Sequence, residues 1–389
     1  MYHYKETMDK LLAKELEEKK IIGANVLVLH KGEEIYHNVL GYANREEKID
    51  MKRDTIFRMF SMTKPVTAAA TMILAERGEL DLWDPVSKYL PEYANQMVCK
   101  EDGSQEAAER DVTIWDLLNM TSGITYPDES HEPGRQMRKV FSELIKRRED
   151  GECITTREYV RRIAEVPLVF QPGERWMYGL SADLLGGIIE VISGKTYGAF
   201  LKEELFDPLG MKDTGFFVPK EKQHRFAQIY RWLENGEIIV KEGSHLGEYY
   251  NEDVAFESGG AGLVSTIDDY SQFAKMMLNK GMHKGKRILG RKTVEFMTED
   301  RLTEKQKKNF DWDSIRGYGY SCLMRVMVDP GKAGSNASKG EYGWDGWTGN
   351  YVIISPEDDL IIMYFIQRCD AGVTPLVRKL RMVTYGALE

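Results

Sequence analysis

Two hydrophobic periods run through this chain, and the places where one gives way to the other predict its elements. Residues 1–20 are charged, with Leu11, Leu12 and Leu16 on one side, which reads as an amphipathic helix. Ala24-Asn25-Val26-Leu27-Val28-Leu29-His30 reads as a buried strand; Lys31-Gly32 turns it, and residues 33–41 return as a second strand to make a hairpin. His30 and His37 lie inside these strands in packing or surface roles. From Val66 to about residue 76 the chain is apolar on nearly every side, through Ala68, Ala69, Ala70, Met72, Ile73 and Leu74. That is the pattern of a buried helix, with Pro65 in its first turn and Gly78 as its stop.

Pro85 and Pro91 mark a connection, and residues 97–111 form a polar surface hairpin or loop. Thr113 caps a short helix that Thr121-Ser122-Gly123 closes. Residues 127–163 are helical in pattern, and their run of Arg and Lys reads as a solvated face. A turn at Pro172-Gly173 leads to Tyr178, and a helix follows over 182–192, ending at Gly194. Residues 205–211 read as a loop with turn chemistry, and the weak alternation over 221–252 as short strands around Asn235-Gly236. Glycine-rich residues 258–266 precede a helix over 267–278; with no apolar strand before them and no third glycine, they are a poor dinucleotide fingerprint. Residues 351–355 and 360–366 are buried strands around a turn, and 373–386 is the last helix.

Composition narrows the class. With 389 residues, 42% hydrophobic and 30% charged, the chain suits an ordinary globular protein of two or so domains. A net charge of −9 argues against a nucleic-acid partner, which needs a basic footprint. Residues 1–20 lack the apolar core of a secretory leader, and no later run reaches the length of a membrane span. The expectation is a cytoplasmic protein with no membrane partner. Cys99, Cys153, Cys322 and Cys369 show no pairing or metal spacing and read as reduced thiols. No metalloprotease, Walker or calcium-loop motif occurs, so neither metal nor cofactor is expected.

The chemistry centres on Ser61-Met62-Thr63-Lys64. Residues three apart on a helix are neighbours, so the Lys64 amine can reach the Ser61 hydroxyl. A serine at the start of a buried helix also sits beside unsatisfied backbone N–H groups. No G-x-S-x-G elbow is present and no histidine lies in a catalytic context, so Ser61 needs a different base. Lys64 is the local one, provided burial or a nearby cation lowers its pKa. A neighbouring tyrosine could share the proton.

Six segments, in order across nearly the whole chain, resemble the serine β-lactamase-like family: class C β-lactamases, D-alanyl-D-alanine peptidases and esterases on the same scaffold. They are Ser61-Met62-Thr63-Lys64; 117–123, with Met120 where histidine is usual; Tyr178-Gly179-Leu180 with its following helix; 205–214; 259–266; and Trp344-Asp345-Gly346. The resemblance implies an α/β domain with a mainly antiparallel sheet flanked by helices, and an all-α domain inserted in it, with the active site between them. The boundaries expected are 1–90 and 220–389 for the α/β part and 91–219 for the helical part. It also implies Ser61 as nucleophile, Lys64 and Tyr178 as proton handlers, and the backbone N–H groups of Ser61 and Trp347 as oxyanion hole, with Leu180, Trp344 and Gly346 in the substrate pocket.

Departures from the family pattern shape the functional expectation. Leu180 replaces the asparagine that would bond a substrate amide, and Trp344 stands where lactamases and peptidases carry a cation. By strand alternation Asp345 points away from the Trp344 face, as a structural residue. The expectation is a metal-free hydrolase of small uncharged carboxylic esters working through an acyl-enzyme, with the ester as its small-molecule partner. A β-lactamase or D-amino-acid peptidase, an acyltransferase, and a penicillin-binding-like sensor without turnover stay as alternatives.

Overall fold

The computed structural model describes residues 3–241, 250 and 254–388. Its framework is an eight-stranded antiparallel sheet, in the order Tyr318–Ser321, Met324–Met327, Tyr342–Asp345, Tyr351–Ser355, Leu360–Phe365, Gly23–His30, Glu33–Asn44 and Ile49–Asp50. The three most apolar strands, from 351, 360 and 23, lie at the centre and are buried along almost their whole length. A strand covered on both faces has no polar side to present, which is why these runs read as continuous rather than alternating.

The chain leaves the sheet after Asp50 and rejoins it at Tyr318. Between those points lie the Thr63–Glu76 helix and a helical body that includes Glu132–Glu149, Thr156–Ile163 and Ser181–Ser193. Twelve residues of Thr63–Glu76 are buried, because it packs on the Ser181–Ser193 helix and also meets the Tyr342–Asp345 strand. The Ile267–Leu278 helix covers the central strands, while the Tyr4–Glu17 and Pro375–Tyr385 helices pack on each other. This is the antiparallel sheet with flanking helices and a helical body that the family resemblance implied. Among the described residues, no single helix is long and apolar enough to cross a membrane.

Two segments differ from the sequence reading. Residues 205–211 are mostly helical: the Tyr197–Leu201 helix continues through a wide turn at Lys202–Phe206 into Asp207–Leu209. Buried Leu205, Phe206 and Leu209 hold the segment down, and only Gly210, at φ +74°, is the expected turn residue. The Tyr318–Ser321 and Met324–Met327 hairpin had no turn signal to announce it. Its turn residues Cys322 and Leu323 take φ +43° and +62° without glycine or asparagine, which usually fill such positions. The hairpin around Asn235-Gly236 is present, as Tyr230–Trp232 with Ile238–Val240; residues 242–249 and 251–253 lie outside the described residues.

Candidate active site

Ser61 lies in a single tight turn, Phe60–Met62, that runs into the Thr63–Glu76 helix. Phe60 takes φ +45°, a left-handed conformation that costs a bulky residue of order 1 kcal/mol or more and turns the chain sharply before the serine. Contacts on both sides hold that strain. Met59 donates its N–H to Leu263, and the Phe60 ring packs edge-on against Trp347 at 5.2 Å.

The turn is tied to the loop that follows the Tyr342–Asp345 strand. Asn350 Nδ2 donates to the Arg58 carbonyl at 2.8 Å, and Gln367 Oε1 accepts from the Arg58 N–H at 3.2 Å. Gly346 comes so close that a Cβ there would stand 2.7 Å from the Met59 carbonyl oxygen. A larger residue would therefore part the Ser61 turn from the segment carrying Trp347. The structure thus brings Ser61, Gly346 and Trp347 together, from residues nearly 300 positions apart.

Lys64 is fully buried, and its ammonium has three acceptors: Ser61 Oγ at 3.1 Å, the Tyr126 hydroxyl at 3.1 Å and the Gly260 carbonyl at 2.9 Å. Among the described residues no carboxylate bonds it directly. Burial lowers its pKa from the usual lysine value to about 7, against a smaller upward pull from Asp183 and Asp345. Lys64 is therefore only part-charged near neutrality, as a general base must be.

Tyr178 stacks over the other side of this amine, with Lys64 Nζ 4.6 Å from its ring centre. Burial raises its phenol pKa, and hydrogen bonds to Ser61 and to the Trp344 indole oppose that rise. The backbone places this ring by close approach: a Cβ on Gly179 would stand 1.9 Å from the Ile124 carbonyl oxygen. That contact also sets Tyr126 beside Tyr178, with ring centres 5.7 Å apart.

Trp344 is buried, and its indole N–H donates to the Tyr178 hydroxyl oxygen at 3.1 Å. Leu180 is only 1% exposed and packs into the core at the start of the Ser181–Ser193 helix. Asp345 pairs with the buried Arg325, whose guanidinium also lies 5.6 Å from the Trp344 ring centre, so strand alternation does not separate this pair from Trp344.

Three residues of this site escaped the sequence reading. Tyr126 follows the turn at Gly123, and nothing in its spacing marks it. Trp312, 43% exposed, packs edge-on against Tyr178 at 5.3 Å and Trp176 at 5.2 Å, giving the cleft an aromatic rim. Asp183, 2% exposed, lies one turn along the helix after Tyr178; a carboxylate amid Ala182, Leu184 and Leu185 was the available signal. Among the described residues no group of His, Cys, Asp and Glu is arranged to hold a metal ion.

The beta-lactamase family profile matches residues 8–380, and the chain belongs to that family. It is 33% identical to protein Rv1367c of Mycobacterium tuberculosis over 356 residues, covering 89% of this chain and 86% of that protein. It is 30% identical to esterase EstB of Burkholderia gladioli over 396 residues, covering 97% and 94%. Among solved structures, EstCE1, described as a hydrolase with promiscuous acyltransferase activity, superposes with a TM-score of 0.82 at 25% identity, over 98% of both chains. Fold and relatives together describe a serine hydrolase of the beta-lactamase fold.

Proposed function

We propose that this protein hydrolyses carboxylic esters with small uncharged acyl groups through an acyl-enzyme on Ser61. The observation that carries the reading is the buried amine of Lys64, 3.1 Å from Ser61 Oγ and with a pKa near 7. Neutral Lys64 takes the Ser61 proton as the oxygen attacks the ester carbonyl. The backbone N–H groups of Ser61 and Trp347 receive the developing oxyanion. Tyr178 gives its proton to the departing alkoxide and recovers one through Lys64. Water then repeats the sequence on the acyl-serine, so one ester and one water become one acid and one alcohol.

Esters are favoured over β-lactams and D-peptides because Trp344 holds no charge for a substrate carboxylate. Its single N–H is already engaged by Tyr178. Similarity to EstB, an esterase, supports this preference. Similarity to EstCE1 keeps acyl transfer to an alcohol as a second reading, since any alcohol seated in the water's place would attack the same acyl-serine.

Intact-mass labelling with a serine-directed phosphonate tests the centre of the proposal: wild type should gain one adduct and Ser61→Ala none. Turnover of nitrophenyl butyrate should exceed that of nitrocefin in kcat/KM. A tenfold advantage for the cephalosporin would replace the esterase reading with the lactamase one, and added acceptor alcohols that yield new esters would favour acyl transfer.

A further inference from the structure

We propose that Asp183 is the positioning residue for Lys64: its buried carboxylate ties down the loop over 258–260, whose Gly260 carbonyl receives the lysine ammonium. The inference rests on Lys64 being the base of the proposed hydrolase. Asp183 Oδ1 accepts from the Ser258 hydroxyl at 2.5 Å and from the Gly260 N–H at 3.1 Å. The Gly260 carbonyl then accepts from Lys64 Nζ at 2.9 Å. One residue of the loop thus meets the carboxylate with its N–H and the lysine with its C=O.

The fit of this loop against the helix leaves no room for other residues. A Cβ on Gly259 would stand 2.2 Å from the Ala182 carbonyl oxygen, and one on Gly260 would stand 2.8 Å from Asp183 Oδ2. Both backbone hydrogen-bonding groups of Gly260 are used here, as buried polar groups generally are. Among the described residues, no cation stands within ion-pair distance of Asp183. Asp345, by contrast, is balanced by Arg325.

The polar groups facing Lys64 are Ser61 on its own segment, Tyr126, Tyr178 and Asp183 from the helical body, and Asp345 from the sheet. Of these, Asp183 and Asp345 favour the charged amine, while burial opposes it. Lys64 in turn favours an ionised Asp183 against the upward push of burial. Asp183 therefore has two effects on Lys64. It fixes where the ammonium points, and it keeps the amine basic enough to take a proton from serine.

The test follows the Lys64 side chain directly by carbon NMR of the lysine Cε, in a Ser61→Ala background. Its resonance is assigned by its absence in the protein that also carries Lys64→Arg. Asp183→Asn keeps an oxygen acceptor and removes the charge, so the Lys64 midpoint should fall by about one pH unit. In the Ser61-containing enzyme, the acid limb of the kcat/KM profile should fall with it. Ser258→Ala keeps the charge but loses one tether; the midpoint should hold while kcat drops several-fold, on the scale of one buried hydrogen bond.

A folded Asp183→Asn protein with an unmoved Lys64 midpoint would overturn the proposal. Should Asp183→Asn not fold, Ser258→Ala decides, and wild-type kcat there would overturn it. Failure of the hydrolase reading would look different: Ser61→Ala would keep its activity while the Lys64 midpoint still followed Asp183.

Discussion

The indole N–H of Trp344 donates to the Tyr178 hydroxyl oxygen at 3.1 Å, and their rings lie 5.6 Å apart. The Trp344 indole is thereby committed to the tyrosine that moves protons in the proposed reaction. A donor on the phenol oxygen favours the phenolate, so Trp344 partly offsets the rise that burial imposes. Trp344→Phe keeps the ring and deletes the donor. Its kcat should fall by up to about tenfold, the worth of one neutral hydrogen bond, with KM nearly unchanged. Steady-state kinetics on a short-chain nitrophenyl ester measures both.

Lys64 should set the acid side of the activity profile. With its pKa at about 7, kcat/KM should rise with pH through that value and level off above it, as the neutral amine accumulates. A profile flat between pH 5 and 9, as an order-of-magnitude window around that value, would remove Lys64 as the base.

The same buried amine makes folding depend on pH. Between about 7 and the ordinary lysine value of 10.5, the folded protein binds fewer protons here than the unfolded chain. Stability therefore rises with pH across that window, and the full cost of burying a charge, on the order of a few kcal/mol, applies below it. Lys64→Met should abolish activity and raise Tm relative to wild type at acid pH, with the advantage shrinking as pH rises. Thermal melts at two pH values, one either side of the lower limit, show the sign.

Asp345 is the counter-ion of Arg325, a guanidinium that is 1% exposed and lies 4.7 Å from the Tyr351 ring centre. Asp345→Ala strands that charge in the interior and should cost about 3–5 kcal/mol. Adding Arg325→Met to Asp345→Ala removes the stranded charge and should recover most of the lost stability. Denaturant titration of the single and double variants gives the comparison.

Trp312 stands at the rim beside Tyr178, the side from which the alcohol departs in the proposed reaction. Trp312→Ala should lower kcat/KM for benzyl and nitrophenyl esters several-fold, matching an aromatic contact worth about 1 kcal/mol. Ethyl esters of the same acids should be little affected. Equal losses on both series would mean that Trp312 only supports Trp176 and Tyr178.

Much of the framework was legible because its signals are local. The run Val26-Leu27-Val28-Leu29 and the apolar segment after Pro65 could be placed on strand and helix without any partner being known. The Ser61–Lys64 neighbourhood was equally local, since one turn of helix sets it. The hairpin through Cys322 was not, because its turn uses left-handed residues that no composition rule flags. The burial of Leu180 in the core was not legible from its place beside Tyr178 either, since successive residues diverge at a helix start.

By itself, then, the sequence determined the strands and helices that local pattern dictates, and a serine with a lysine one turn away. Whether that lysine could act as a base was a tertiary matter. Its pKa depends on burial beneath Tyr126, Tyr178 and the Gly260 loop, which lie 62, 114 and 196 residues further along the chain. The partners of Gly260 and Trp344 were likewise decided only when the helical body closed against the sheet. Desolvation and hydrogen-bond geometry are properties of surroundings, and no stretch of sequence holds its own surroundings.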